Sequence, residues 1–248
     1  MASGYAGLMR TRRLGIALIA AALSPVMSFG QELPIIGVGA KVSPLGIGFE
    51  GTTAITRNSN VRAAFNFLNY DHTYNKDGIT YNAGVGFRSL QFTYDQYFFK
   101  GFHVSPGLLA FNGTHADGTA FVPSGQSFTL GGVRYFSGSA NPVNGTARVE
   151  FRKAAPLVMI GVGNPLPRSG RRFGFNLDVG VVFQGPPDTM LGLTGTACAA
   201  SSAAGCVNAA TDPVFQKNVQ AQQARINNDL DLLRYYPVLS FGVSWKIK

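Results

Sequence analysis

F-G-F-N-L-D-V-G-V-V-F, from Phe173 to Phe183, puts Phe173, Phe175, Leu177, Val179, Val181 and Phe183 on one side of an extended chain. Gly174, Asn176, Asp178, Gly180 and Val182 take the other side, because successive side chains of a strand point to opposite faces. At ~3.3 Å per residue the stretch spans ~36 Å, which at a tilt of ~45° is close to the ~25 Å apolar band of a membrane barrel. One face dissolves in oil; the other carries a carboxylate and an amide. A soluble sandwich buries such a face too, so the stretch decides the fold only together with what surrounds it.

Upstream, Arg10, Arg12 and Arg13 precede an apolar run from Leu14 to Leu23, followed by small residues at Ser28 and Gly30. This is the order of a cleaved export signal, too short for a spanning helix. Residues 1–30 are therefore read as signal and 31–248 as the mature domain. Met9, directly before the basic patch, is an alternative start to Met1, and Arg12-Arg13 is weak grounds for twin-arginine export. No later run reaches the ~18 to 20 apolar residues of a spanning helix. If the chain crosses a membrane it does so as a closed barrel, because lipid cannot satisfy an open sheet edge.

Lys and Arg number 21 against 12 Asp and Glu, a formal charge of +9 that falls to +6 once the three signal arginines are removed. The basic residues are scattered singly or in pairs, without a basic helix or an aromatic RNA-binding motif, which argues against nucleic acid. They fit better inside a barrel or near acidic lipid head groups. Cys198 and Cys206 are the only cysteines; in an oxidising compartment they are expected to form a local disulfide stapling a loop.

The alternation of Phe173–Phe183 recurs. Leu45, Ile47 and Phe49 alternate with Gly46, Gly48 and Glu50 as far as Thr56, and after the polar turn at Arg57–Asn60, Val61, Ala63, Phe65 and Phe67 alternate with Arg62, Ala64 and Asn66. Two such runs make a hairpin. A loop is expected at Asp71–Gly78. In the next strand, Ile79–Tyr94, residues Tyr81, Ala83, Val85 and Phe87 share one face while Leu90, Phe92 and Tyr94 share the other. A β-bulge near Arg88 and Ser89 would restore one apolar face.

Phe102–Asn112 reads as a strand, Gly113–Ala147 as a long loop, and Arg148–Gly163 as a strand in which Arg148, Glu150 and Arg152 alternate with Val149 and Phe151. Beyond Phe183, Gln184–Tyr236 holds the cysteines and a helix predicted over Pro213–Arg234, with Asp212 as N-cap and Pro213 at the first helical position. Val219, Ile226, Leu230 and Leu233 fall near one face of it, suited to the barrel rim, a neighbouring loop, a lipid surface or a partner. Leu239, Phe241, Val243, Trp245 and Ile247 then alternate with Ser240, Gly242, Ser244 and Lys246. With a first strand at Pro34–Lys41 the count is eight, and both termini lie on the side of the short turns Arg57–Asn60, Asp95–Gly101 and Asn164–Arg172, the periplasmic side in bacterial barrels. Thr189–Thr194 would be a ninth and break the parity, so it is read as a protruding part of the last loop. The predicted fold is an all-β, antiparallel up-and-down barrel with one helix in its last long loop.

The stretches L-G-I-G-F-E-G-T at Leu45–Thr52, V-R-A-A-F-N-F at Val61–Phe67, R-F-G-F-N-L-D-V-G-V-V-F-Q-G at Arg172–Gly185 and Y-Y-P-V-L-S-F-G-V-S-W at Tyr235–Trp245 resemble the small outer-membrane β-barrel family typified by the transmembrane domain of outer membrane protein A, and a group of uncharacterised proteobacterial outer-membrane proteins. The resemblance is one of strand grammar over most of the mature chain. It implies outer-membrane lipid and the barrel-assembly machinery as partners. Such barrels usually end in an aromatic residue that this machinery recognises, whereas this chain ends Trp245-Lys246-Ile247-Lys248.

Glu50, Arg62, Arg88, Glu150, Arg152, Asp178 and Lys246 lie on the polar parity of their strands and are expected inside. An eight-stranded interior is just wide enough for side chains to fill, and buried charges need partners. The choice is between an ion-paired core and a narrow lined pore. Phe173, Phe175, Leu177, Val179, Val181, Phe183, Leu239, Phe241, Val243 and Trp245 are expected to face lipid, with Tyr235, Tyr236 and Trp245 in the aromatic girdles.

Catalysis is not expected. His72 and His115 sit in or beside loops, His103 near a strand start, and the one adjacency of histidine and carboxylate, Asp71-His72, points its side chains opposite ways on a strand. No metal-ligand cluster is visible, and Gly161-Val162-Gly163 lacks the third glycine of a dinucleotide site, so no cofactor is expected. Two alternatives stand: a soluble periplasmic lipocalin-like barrel with its apolar parity inward, or an outer-membrane lipid-modifying enzyme.

Overall fold

The computed structural model describes residues 35–99, 101–201 and 205–247; the expected signal at 1–30 lies outside them. The described strands are β1 Ile36–Ser43, β2 Gly46–Thr56, β3 Ser59–Lys76, β4 Ile79–Phe99, β5 Phe102–Asn112, β6 His115–Val122, β7 Ser127–Leu130, β8 Val133–Ser137, β9 Val143–Glu150, β10 Ala155–Asn164, β11 Phe173–Phe183, β12 Asp188–Thr194, β13 Thr196–Cys198, β14 Cys206–Asn208 and β15 Tyr235–Lys246, with helix α1 at Pro213–Asp229. Eight of them close an antiparallel ring in the order β1-β2-β3-β4-β5-β10-β11-β15, and β15 returns to β1 with Trp245 opposite Val38.

Parity then fixes inside and outside. On β11, Phe173 is 70% exposed and Asp178 only 1%. The same division holds around the ring, with Val38, Phe49, Phe65, Phe92, Ile160 and Phe241 outside and Lys41, Glu50, Arg62, Asn66, Asp95, His103 and Asn176 inside. A lipocalin-like interior would show the reverse. Edge-to-face aromatic pairs cap both ends of the β11–β15 ladder, Phe173 with Trp245 at 4.3 Å and Phe183 with Tyr235 at 6.0 Å. They are ten residues apart along β11, which at ~3.3 Å each and a tilt of ~45° bounds a belt of about 23 Å.

Above the ring the chain departs from the sequence expectation. Asp71–Gly78 is not a loop: β3 and β4 continue as one ribbon, in unbroken register from Ser59 opposite Gln96 to Lys76 opposite Ile79, and turn at Asp77 and Gly78, both with positive φ. No bulge in the β3–β4 ladder interrupts β4 at Arg88. The parity change has another cause. Below Arg88 the outward residues Leu90, Phe92 and Tyr94 are apolar; above it the same side carries Thr80, Asn82 and Arg88, because there β4 has left the barrel and pairs with β6.

The expected long loop Gly113–Ala147 therefore contains strands, and the ladder continues β4-β6-β9-β12. Arg148 and Glu150 belong to β9 in this platform, while the barrel strand starts only at Ala155. Thr189–Thr194 is a strand after all, but one outside the ring, so the barrel parity stands. A second small sheet, β7-β8-β13-β14, lies near it. Ile79, Val122, Leu130, Tyr135, Val143, Leu193, Phe215 and Val219 form the apolar core of this upper region.

The Cys198–Cys206 disulfide joins directly opposed positions of β13 and β14. Helix α1 stops at Asp229, and residues 231–234 form a 3₁₀ turn. Its expected face is turned partly inward: Phe215 and Val219 are buried. Asp212 caps it, its Oδ1 accepting from the Phe215 N–H at 2.8 Å. Asp212→Ala should weaken the helix by about 1 kcal/mol, read as faster amide exchange over Pro213–Asp229 with the barrel amides unchanged.

Candidate functional site

The barrel interior is built in layers. At mid-height the Arg62 guanidinium meets three carboxylates: Asp178 at 2.9 Å from Nη1, Asp95 at 2.8 Å from both Nη2 and Nε, and Glu50 at 3.6 Å from Nη1. All four side chains are almost wholly buried. Ser105 donates to Asp95 at 2.7 Å, and Asn176 donates to Asp178 at 2.6 Å. Lys41 donates to Gln91 at 2.6 Å.

His103 places Nε2 2.7 Å from Asp178 and Nδ1 3.1 Å from the Gly101 carbonyl. Both oxygens are acceptors, so an imidazolium satisfies both contacts. With that charge the layer holds three cations, Lys41, Arg62 and His103, against the carboxylates Glu50, Asp95 and Asp178. Gly161 makes the His103–Asp178 contact possible, since a Cβ there would overlap Asp178 and lie 2.6 Å from His103 Nε2.

Below this layer the β10–β11 turn folds under the barrel. Leu166 is fully buried, and a Cβ on Gly37 would come within 2.6 Å of it. Arg168 pins the turn, donating to the carbonyls of Thr56 at 3.0 Å and Ser59 at 3.4 Å and to Asn60 Oδ1 at 2.8 Å. Burial lowers the Arg168 pKa from its ordinary value. Above the ionic layer, Leu45, Leu109, Ala155, Leu157, Met159, Val182 and Val238 form an apolar seal, with Tyr236 donating to the Pro44 carbonyl at 3.0 Å.

The platform carries two cavities. One, about 390 Å³, has mostly polar residues in its walls, among them Asp71, Asn82, Arg88, His115, Asp117 and Thr119. The second, about 300 Å³, is apolar, with Tyr74, Tyr81, Leu130, Leu191, Leu193 and Ile226 in its walls. Tyr74 and Tyr81 stack at 5.1 Å. Burial, then Tyr74 and Asp77, raise the Tyr81 pKa.

Two crystal structures from Acinetobacter baumannii share this architecture. CarO matches with a TM-score of 0.54 at 20% identity, over 88% of this chain and 99% of CarO. CarO2 matches with a TM-score of 0.54 at 19% identity, over 88% of this chain and 100% of CarO2. What the likeness shows is the fold, an antiparallel β-barrel. No family model and no curated protein matches the sequence.

Within this barrel the residues predicted from sequence divide. Glu50, Arg62 and Asp178 meet in the ionic layer. Arg88 does not: with β3 and β4 in unbroken register its parity points outward, and it is exposed just above the apolar belt. Glu150 lies in β9 outside the ring, paired with Arg148 at 2.5 Å; that bond and Asp117 raise the Arg148 pKa. Arg152 is exposed in the link from β9 to β10, and Lys246 ends β15 at the rim. Phe173, Phe175, Leu177, Val179, Phe183, Leu239, Phe241, Val243 and Trp245 are exposed on the outer face, with Val181 on the same parity and half-buried.

His72 stacks between Tyr70 and Tyr74, and Asp71 points to the opposite face. Among the described residues no group of three metal-ligating side chains occurs, and no helix is long and apolar enough to cross a membrane. Sequence reasoning missed Lys41, Asp95 and His103. For Lys41 and Asp95 the signal was present: Lys41 alternates with Val38, Ala40 and Val42, and Asp95 continues Ser89, Gln91 and Thr93.

Proposed function

We propose that this chain is exported through a signal cleaved near Gly30 and inserted in the outer membrane as a closed barrel that anchors a surface β-platform. The short turns and both termini face the periplasm, the platform faces outward, and the residues from Phe173 to Phe183 and Leu239 to Trp245 on the outer parity touch lipid. The carrying observation is the filling of the interior at three successive heights: Leu166 and its turn, the Arg62 ion network, and the apolar seal around Leu109, Leu157 and Val182. That filling favours a closed barrel over a narrow pore.

On this reading the working part is the platform, whose apolar cavity between the β4-β6-β9-β12 sheet and α1 supports capture of a small, largely apolar solute. Eight strands suit an anchor of this kind, because an interior so narrow is filled by its own side chains. Reconstituted in planar bilayers, the full chain should give no unitary current steps above the lipid baseline. Reproducible steps from the wild-type protein would return the pore reading.

A further inference from the structure

The excess positive charge of the described protein is not spread over it. The platform, its loops and α1 carry nine basic and eight acidic residues. The buried layer holds Lys41, Arg62 and the His103 imidazolium against Glu50, Asp95 and Asp178. The short-turn rim carries Arg57, Arg168, Arg171, Arg172 and Lys246, and among the described residues of its turns and strand ends there is no acidic residue. The surplus is concentrated at one end of the barrel.

That end is placed where charge meets a membrane surface. Arg172 precedes Phe173, and Lys246 follows Trp245; the two are neighbours across the ladder, the Lys246 N–H donating to the Arg172 carbonyl at 2.7 Å. Phe173 and Trp245 form the aromatic pair that closes the apolar belt, so the cations stand one residue beyond it, at head-group depth. Arg171 and Arg172 are exposed. The turn that carries them is held rigid by Arg168, by Asn164 Oδ1 accepting from the Leu166 N–H at 2.8 Å, and by Ser244 donating to the Pro165 carbonyl at 2.6 Å. Arg168 spends its charge on carbonyl and amide oxygens, not on a carboxylate, and its buried Nε–H has no acceptor.

We propose that this rim, around Arg171, Arg172 and Lys246, is a binding site for the phosphate head group of anionic phospholipid in the periplasmic leaflet. The proposal rests on the orientation given above. Arg171, Arg172 and Lys246, with no acidic residue among the described residues of the turns and strand ends beside them and next to lipid-exposed aromatics, attract anionic head groups by charge and hold them against the belt. The same cations could meet the anionic cell wall, but their position at the edge of the apolar belt favours lipid.

Trp245, the single tryptophan of the chain, reports on the site. In nanodiscs of phosphatidylcholine containing a minority of brominated phosphatidylglycerol, Trp245 should be quenched more than by the same fraction of brominated phosphatidylcholine. The preference expected is about fivefold at low salt, and it should shrink at high salt. R171Q/R172Q and, separately, K246Q should bring it towards unity while the heat-dependent gel shift of the folded barrel is kept.

Equal quenching by the two lipids in the wild type, or a preference that survives both variants, would overturn the proposal. So would variants that lose co-sedimentation with peptidoglycan while keeping their lipid preference. If no brominated lipid quenches Trp245 at all, the membrane reading itself fails, a distinct result.

Discussion

Replacing Arg62 with leucine should lower the unfolding free energy by about 3–5 kcal/mol, because removing one partner of a buried ion network leaves the other charges uncompensated. Arg62 is 2% exposed and serves Glu50, Asp95 and Asp178 at once; water cannot take its place. The measurement is urea unfolding in detergent, followed by Trp245 emission and by loss of the folded gel band. Adding Asp95→Asn and Asp178→Asn to Arg62→Leu should recover part of the loss, since two stranded charges are then gone. A single-variant cost below about 1 kcal/mol, the range of a surface ion pair, would mean that the layer is hydrated and that the barrel is not closed at this height.

This layer also shows what the sequence could and could not tell. Arg62 and Asp178 are on the inner parity of strands whose opposite faces are apolar, so an alternation with period two places them correctly. Which carboxylate meets Arg62 depends on register around the ring. Asp95, 33 residues away, and Asp178, 116 residues away, reach the same guanidinium, and no local pattern encodes that.

The failures have a common physical origin. For Arg88, Glu150 and the Asp71–Gly78 segment, the alternation in sequence alone implies strands that end where the apolar belt ends. Here β3 runs on to Lys76, and β4 begins its descent at Ile79 well above the belt. A strand leaving lipid keeps its hydrogen-bond ladder and changes only what its outer face must tolerate. The change is written in the chain, Phe65 and Phe67 giving way to Asn69, Asp71 and Thr73, yet it reads equally well as a bulge or a loop. The turn residues Leu166 and Arg168 carry no periodicity at all, so their role beneath the barrel was visible only in three dimensions.

The largest effect expected on the outer face follows from that boundary. Leu177 lies near the middle of β11, between Val162 and Phe241 on its neighbours, and is 43% exposed. If lipid covers it, Leu177→Arg should cost about 2–4 kcal/mol in vesicle unfolding, the cost of a cation at the midplane. Phe173→Arg, at the edge of the belt, should cost about 0–1 kcal/mol. Thr73→Arg, on the same outward parity of the ribbon above the belt, should change little. The three substitutions introduce the same side chain on outward-facing strand positions and differ in height, so a graded cost measures the membrane boundary directly. In water, exchanging an exposed leucine for arginine relieves apolar exposure, and Leu177→Arg would then be neutral or stabilising. A flat series would remove the lipid from the belt and the anchor from the proposed function.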